Sequence, residues 1–244
     1  MIAGLTWGAI ALGLAAGLVA GFVRGLAGFG LAILLVPVLS LAILPVEAVF
    51  VGNLLGFCVS FMGLRKQVAD TEKSAWIIAG VALLLIPAGM VALAAAGAAA
   101  ARMLIALVAI GAFVAVLLPV KPHHVPGMKE TLATGAASGL LTGFAGMPGP
   151  PVVPFYLRRD LPPAIARASM MSIFIVTQGA GVVLAVLLGK ATLREVGIAA
   201  ALYPVTVIGN WLGTHAFGRI DAKAWRYIAG GVLGAAALGA VFKL

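Results

Sequence analysis

The chain has 244 residues, 63% of them hydrophobic and 9% charged, with a formal net charge of +9. Soluble domains carry about 25% charged residues, so the composition excludes an ordinary water-soluble fold and predicts an all-α polytopic membrane protein. The basic residues sit singly in short loops, which excludes a nucleic-acid surface, and the single Cys58 excludes an intrachain disulfide and a cysteine metal cluster.

In chain order, the N-terminus lacks a basic leader and reads as an uncleaved first span. The first apolar run covers about residues 5–23 and closes at Arg24 and Gly25. Its glycines Gly13, Gly17, Gly21 and Gly25 recur every fourth residue, a spacing that lines one helix face and lets another backbone come close. The second run, 26–44, is broken early by Gly28 and Gly30 and carries Pro37. Runs three to five cover 46–64, 75–96 (with Pro87) and 103–120; residues 65–74 form a polar loop. The Pro- and charge-rich segment 121–130, with His123 and His124, reads as a connector between a first half (1–120) and a second half (131–244).

The second half echoes the first. At an offset of 118, Gly17, Gly21, Gly25, Ala27 and Gly28 match Gly135, Gly139, Gly143, Ala145 and Gly146. At an offset of 117, Pro37, Pro45, Lys73, Gly80, Pro87 and Arg102 match Pro154, Pro162, Lys190, Gly197, Pro204 and Arg219, and Ser60 matches Thr177. Five apolar segments per half make the repeats inverted in topology, with broken or re-entrant helices at the Gly/Pro-rich motifs. With the 65–74 loop in the cytoplasm, twelve Lys and Arg, including Arg24, fall inside and four fall outside. The positive-inside rule then places both termini outside.

Two stretches carry the candidate chemistry: GFVRGLAGFG around Arg24–Gly30 and GLLTGFAGMPGPP around Gly143–Gly149. Each breaks a helix and restarts it, and a helix start presents free N–H groups to an anion. Neither stretch fits a dinucleotide or phosphate-loop pattern. Asn53, Gln178 and Asn210 are polar residues inside apolar runs and should face the bundle interior. Arg24 can pair with an anion as a fork, or anchor the span at the interface. Hydroxyls at Ser138, Thr142, Ser169, Ser172 and Thr206 can donate to an oxyanion or bond back to their own helix. Glu47 and His215 are candidate proton carriers, with a helix-start role for Glu47 and interfacial packing for His215 as alternatives. The sequence shows no catalytic constellation, metal site or cofactor motif.

These motifs, their doubling, the length and the proline-bearing fourth segment resemble the sulfite exporter TauE/SafE family, also called the toluene-sulfonate uptake permeases. The resemblance covers essentially the whole chain. It implies a permease moving a sulfur-containing anion such as sulfite, a sulfonate or sulfoacetate across the bacterial inner membrane. Pro148, Pro150 and Pro151 exceed the proline expected of the family's second motif. The combined expectation is an alternating-access transporter whose substrate sits at Arg24, Gly25, Gly28, Phe29, Gly30, Asn53, Gly143, Gly146, Met147, Pro148, Gly149, Gln178 and Asn210. The competing expectations are a cation held at the same breaks, a channel, and a non-transporting assembly factor. The expected partners are a small anion and the lipid bilayer.

Overall fold

The computed structural model describes residues 6–117 and 126–217. His123, His124, Arg219 and the start of the 121–130 connector lie outside them. Helices joined by short breaks and turns make up the described residues: α1 (Trp7–Ala27), α2 (Leu31–Ser40), α3 (Pro45–Val59), α4 (Leu64–Ala69), α5 (Lys73–Ala95), α6 (Ala98–Leu117), α7 (Met128–Ala145), α8 (Gly149–Leu157), α9 (Pro163–Leu187) and α10 (Leu193–Ala216). Four of these, α1, α5, α9 and α10, are long and apolar enough to cross a bilayer. Large apolar side chains such as Leu84, Leu187 and Leu193 are exposed, as lipid-facing positions must be.

Several boundaries differ from the sequence reading. The 65–74 stretch is not a plain loop, because it contains α4 and the first turn of α5. The last residues of the expected connector already belong to α7. The nine residues of α8 reach about 14 Å and the ten of α2 about 15 Å, at about 1.5 Å per residue. Neither crosses a hydrocarbon core about 30 Å thick.

Small residues set the main helix contacts. A Cβ built on Gly17 would lie 3.1 Å from Thr206 Oγ1, one on Gly21 3.1 Å from the Asn210 nitrogen, and one on Gly25 2.8 Å from the Thr214 nitrogen. The contacts advance together, so α1 and α10 run parallel with backbones touching. From the other side, Gly209 and Gly213 meet the Leu18 and Phe22 carbonyls. The α5–α7 pair is built alike, with Gly135, Gly139 and Gly143 against Ile78, Ala82 and Ile86, and Gly89 against Leu140. In lipid, where burial supplies little drive between helices, such close packing holds them together.

Between these pairs, α3 crosses α9. The Gln178 carboxamide fills the notch left by Gly56, and the Asn53 carboxamide fills that left by Gly181. The apolar core surrounds this crossing and the breaks after α1 and α7, with Leu35, Val51, Met147, Val152 and Ile173 fully enclosed.

Candidate functional site

Both breaks are built by backbone geometry. Gly28 ends α1 at φ 82° and Gly30 starts α2 at φ 102°, while Gly146 ends α7 at φ 67°. Side-chain-bearing residues are strained there, so glycine lets the chain turn within a few residues and restart. On the second break, the Ser138 hydroxyl donates to the Pro148 carbonyl at 3.0 Å, securing the turn.

The two restarts face one cavity. It is lined by Gly30–Ile33 at the start of α2, Met147–Gly149 at the start of α8, and the side chains of Arg24, Phe29, Phe174 and Gln178. It leaves about 20 Å³ for a guest, room for one water and less than a four-atom sulfur oxyanion needs. The first intrahelical bond of α2 is donated by Leu34 to Gly30, so the N–H groups of Leu31, Ala32 and Ile33 have no acceptor within the helix. The α8 start is poorer in donors, because Pro150 and Pro151 have no N–H.

Arg24 supplies the charge. It lies in the last turn of α1 and is 2% exposed. Its Nη2 donates to Ser60 Oγ at 2.5 Å, and that hydroxyl donates to the Gly56 carbonyl at 2.7 Å. Among the described residues, its Nη1 is buried without a partner. This corrects the count of Arg24 among exposed cytoplasmic loop charges. A buried, uncompensated guanidinium costs several kcal/mol, roughly, and an arriving anion removes that cost. With helix starts beside it, the cavity is positive, and the Gln178 carboxamide adds one neutral acceptor to its lining.

The other expected residues spread around this centre. Gly25 and Gly143 are helix-packing positions against α10 and α5. Asn53 sits beside Gly146 and lines a separate cavity of about 350 Å³ with Lys190. Asn210 lines a third cavity of about 420 Å³ with Arg167, Lys66 and Gln67. Among the described residues, the carboxamide oxygens of Asn53, Gln178 and Asn210 are all buried without partners. Glu47 accepts from the Leu44 N–H at 3.1 Å and pairs with Arg194 at 2.7 Å, a helix-start role away from the Arg24 cavity. His215 lies on the exposed end of α10, with Nδ1 2.8 Å from the Trp211 carbonyl. Thr142, Thr177 and Thr206 bond back to their own helices, while Ser169 and Ser172 hold the α4–α5 corner through Glu72 and Thr71.

Arg167, one of the twelve charges assigned inside, is not among the candidate residues read from the sequence, yet it packs against the first break. It lies in α9, its Nη2 donates to the Gly25 carbonyl at 2.5 Å, and its aliphatic stem packs against Gly28. The signal was present: Arg167, Met171, Phe174 and Gln178 recur at helical spacing and share one face. Among the described residues, no group of His, Cys, Asp and Glu is placed to hold a metal.

No solved structure matches the chain. A curated protein of Cupriavidus necator, named as a probable sulfite/organosulfonate exporter TauE, is 28% identical over 219 residues, covering 87% of this chain and 86% of that protein. The family model described as "Sulfite exporter TauE/SafE" matches residues 13–240. That stretch takes in both breaks and the residues lining the Arg24 cavity, and the chain belongs to the sulfite exporter TauE/SafE family of membrane transporters.

Proposed function

We propose that this protein exports a small sulfur oxyanion or organosulfonate across the bacterial inner membrane by alternating access, and that the anion is held in the Arg24 cavity. One observation carries the reading. Two helix starts and an unpartnered, fully enclosed guanidinium nitrogen converge on a single cavity. A cation there would meet Arg24 and the positive ends of α2 and α8, which argues against the cation reading. Leu31–Ile33, Arg24 and Gln178 are the residues we assign to the anion. The name of the Cupriavidus necator relative supports the substrate class and the direction.

The halves 1–120 and 131–244 act as inverted repeats around this cavity. The helix contacts support the repeat at a register that shifts along the chain. Phe22 against Gly213 corresponds to Leu140 against Gly89. The Asn53–Gly181 and Gln178–Gly56 contacts exchange roles at a spacing of 125, in place of the 117 that pairs Ser60 with Thr177. Sidedness is also consistent. Arg102 with Ser40 and Arg194 with Glu47 join segments assigned outside, whereas Arg159 with Glu72 and Arg167 with Thr214 join segments assigned inside. Because the central cavity is water-sized, the substrate enters only when helices around the breaks part, which is the motion alternating access requires.

The test is thermal unfolding of the purified chain in lipid nanodiscs with sulfite, sulfoacetate, sulfate, chloride or sodium. A ligand at a hundred times its Kd stabilises by about 2.7 kcal/mol. Sulfite or sulfoacetate should stabilise the wild type selectively, and Arg24→Gln should remove the effect. Stabilisation by sodium alone, or an organosulfur effect unchanged in Arg24→Gln, would overturn the proposal. Sulfite release from loaded proteoliposomes then tests transport.

A further inference from the structure

We infer that the cavity around Arg167 is a second anion subsite, a waiting position between the cytoplasm and the Arg24 cavity. This rests on the assignment of the Arg24 cavity to an anion. The observations are separate from those that carry that assignment. The Arg167 cavity has a volume of about 420 Å³, far larger than the central one, and Arg24 does not line it. Its rim holds the exposed Lys66 and the half-buried Asp70. Its inner wall holds Gln67 and Asn210, at 6% and 4% exposure, each with a carboxamide oxygen lacking a partner.

Arg167 occupies the boundary between the two cavities. Its Nη2 donates to the Gly25 carbonyl and, at 3.3 Å, to Thr214 Oγ1, its guanidinium lies 4.8 Å from the centre of the Phe217 ring, and its Nε is buried without a partner. Among the described residues, neither Arg24 nor Arg167 takes part in an ion pair. Two adjacent guanidinium groups, neither paired with a carboxylate although Asp70 stands on the rim, make two positions where one negative charge each relieves an electrostatic cost.

The carboxamides adapt readily. Among the described residues, Asn210 Nδ2 has only the Met62 sulfur at 3.6 Å, and Gln67 Nε2 has only Ser172 Oγ at 3.4 Å. Rotating either amide trades a weak contact for a donor aimed into the cavity. With the Arg167 side chain turned toward the cavity, an oxyanion there accepts from its guanidinium and from the two amides, with Lys66 at the mouth. Moving inward, it passes the Gly28 break to reach Arg24.

Sulfite titration calorimetry on the full chain in nanodiscs tests the subsite. The wild type should show two binding events. Arg24→Gln should remove the tighter and leave the weaker, and Arg167→Gln should do the reverse. Each deletion should weaken its own event about ten- to a hundredfold, the range for one charge-assisted hydrogen bond, and leave the other within about twofold. Arg167→Lys keeps the charge and should retain a weakened outer event, which a purely structural role for Arg167 does not predict. In proteoliposomes, Arg167→Gln should raise KM for sulfite more than it lowers kcat. A single wild-type event that Arg24→Gln abolishes and Arg167→Gln leaves intact overturns the subsite and leaves the central assignment standing. Absence of sulfite binding in the wild type overturns both.

Discussion

The two helix starts at the centre differ by atoms that can be added or removed singly. At α2 the first three residues, Leu31, Ala32 and Ile33, all carry N–H groups, while at α8 Pro150 and Pro151 carry none. Proline is tolerated in a first helical turn because its missing donor is one the helix does not use. Ala32→Pro therefore deletes a donor to the anion with little cost to α2, and should weaken sulfite binding about tenfold, read by calorimetry. Unchanged affinity would show that the α2 start does not touch the anion. Arg24 was harder to judge from sequence, because an arginine after an apolar run looks the same whether it meets lipid headgroups or a buried cavity. The clustered glycines and prolines marked the breaks because their effect is on the backbone itself, independent of partners.

Between helices, glycines of like appearance have different jobs, and the spacing alone did not separate them. Gly25 and Gly213 touch carbonyl oxygens of the facing helix, whereas a Cβ on Gly80 or Gly197 meets nothing within 4 Å. Gly25→Ala and Gly213→Ala should each destabilise by about 1–3 kcal/mol, since a rigid backbone must move aside. Gly80→Ala and Gly197→Ala should be neutral or stabilise by up to about 1 kcal/mol through helix propensity. Thermal unfolding in nanodiscs distinguishes the sets, and equal effects at all four positions would contradict the packing. Glu47→Gln breaks a partly exposed pair, for which about 0–1 kcal/mol is expected, and should leave sulfite affinity unchanged. The sequence reading of Glu47 as a helix-start carboxylate matches its bond to the Leu44 N–H. The fixed offset of 117 does not pair Asn53 with Gln178, which the proposed repeat matches at 125 through their contacts with Gly181 and Gly56.

For the molecule as a whole, the proposed orientation rests on the loop charges, while the loop contacts only group segments on a common side. In a Cys58→Ser background, Lys66→Cys should resist a membrane-impermeant thiol reagent applied to intact cells, and Lys190→Cys should react. The opposite pattern would invert the topology and place the Arg167 cavity on the far side. Composition alone disclosed the helical membrane class, since so few charges cannot cover a water-soluble surface. The convergence of the two breaks on one cavity rests on contacts between residues more than a hundred positions apart, and no local pattern encodes it.

The α3–α9 crossing has a consequence for how such chains vary. Each carboxamide occupies space that exists only because its partner is glycine, so volume at position 56 trades against volume at 178, and 181 against 53. Gly56→Ala should be harmful alone and rescued by Gln178→Ser, a coupling energy of about 0.5–3 kcal/mol in a double-mutant cycle. Across relatives, these two position pairs should co-vary by size, large amide opposite glycine or small polar residue opposite alanine. The interlock would then be inherited as a sum of volumes, with neither residue fixed by itself.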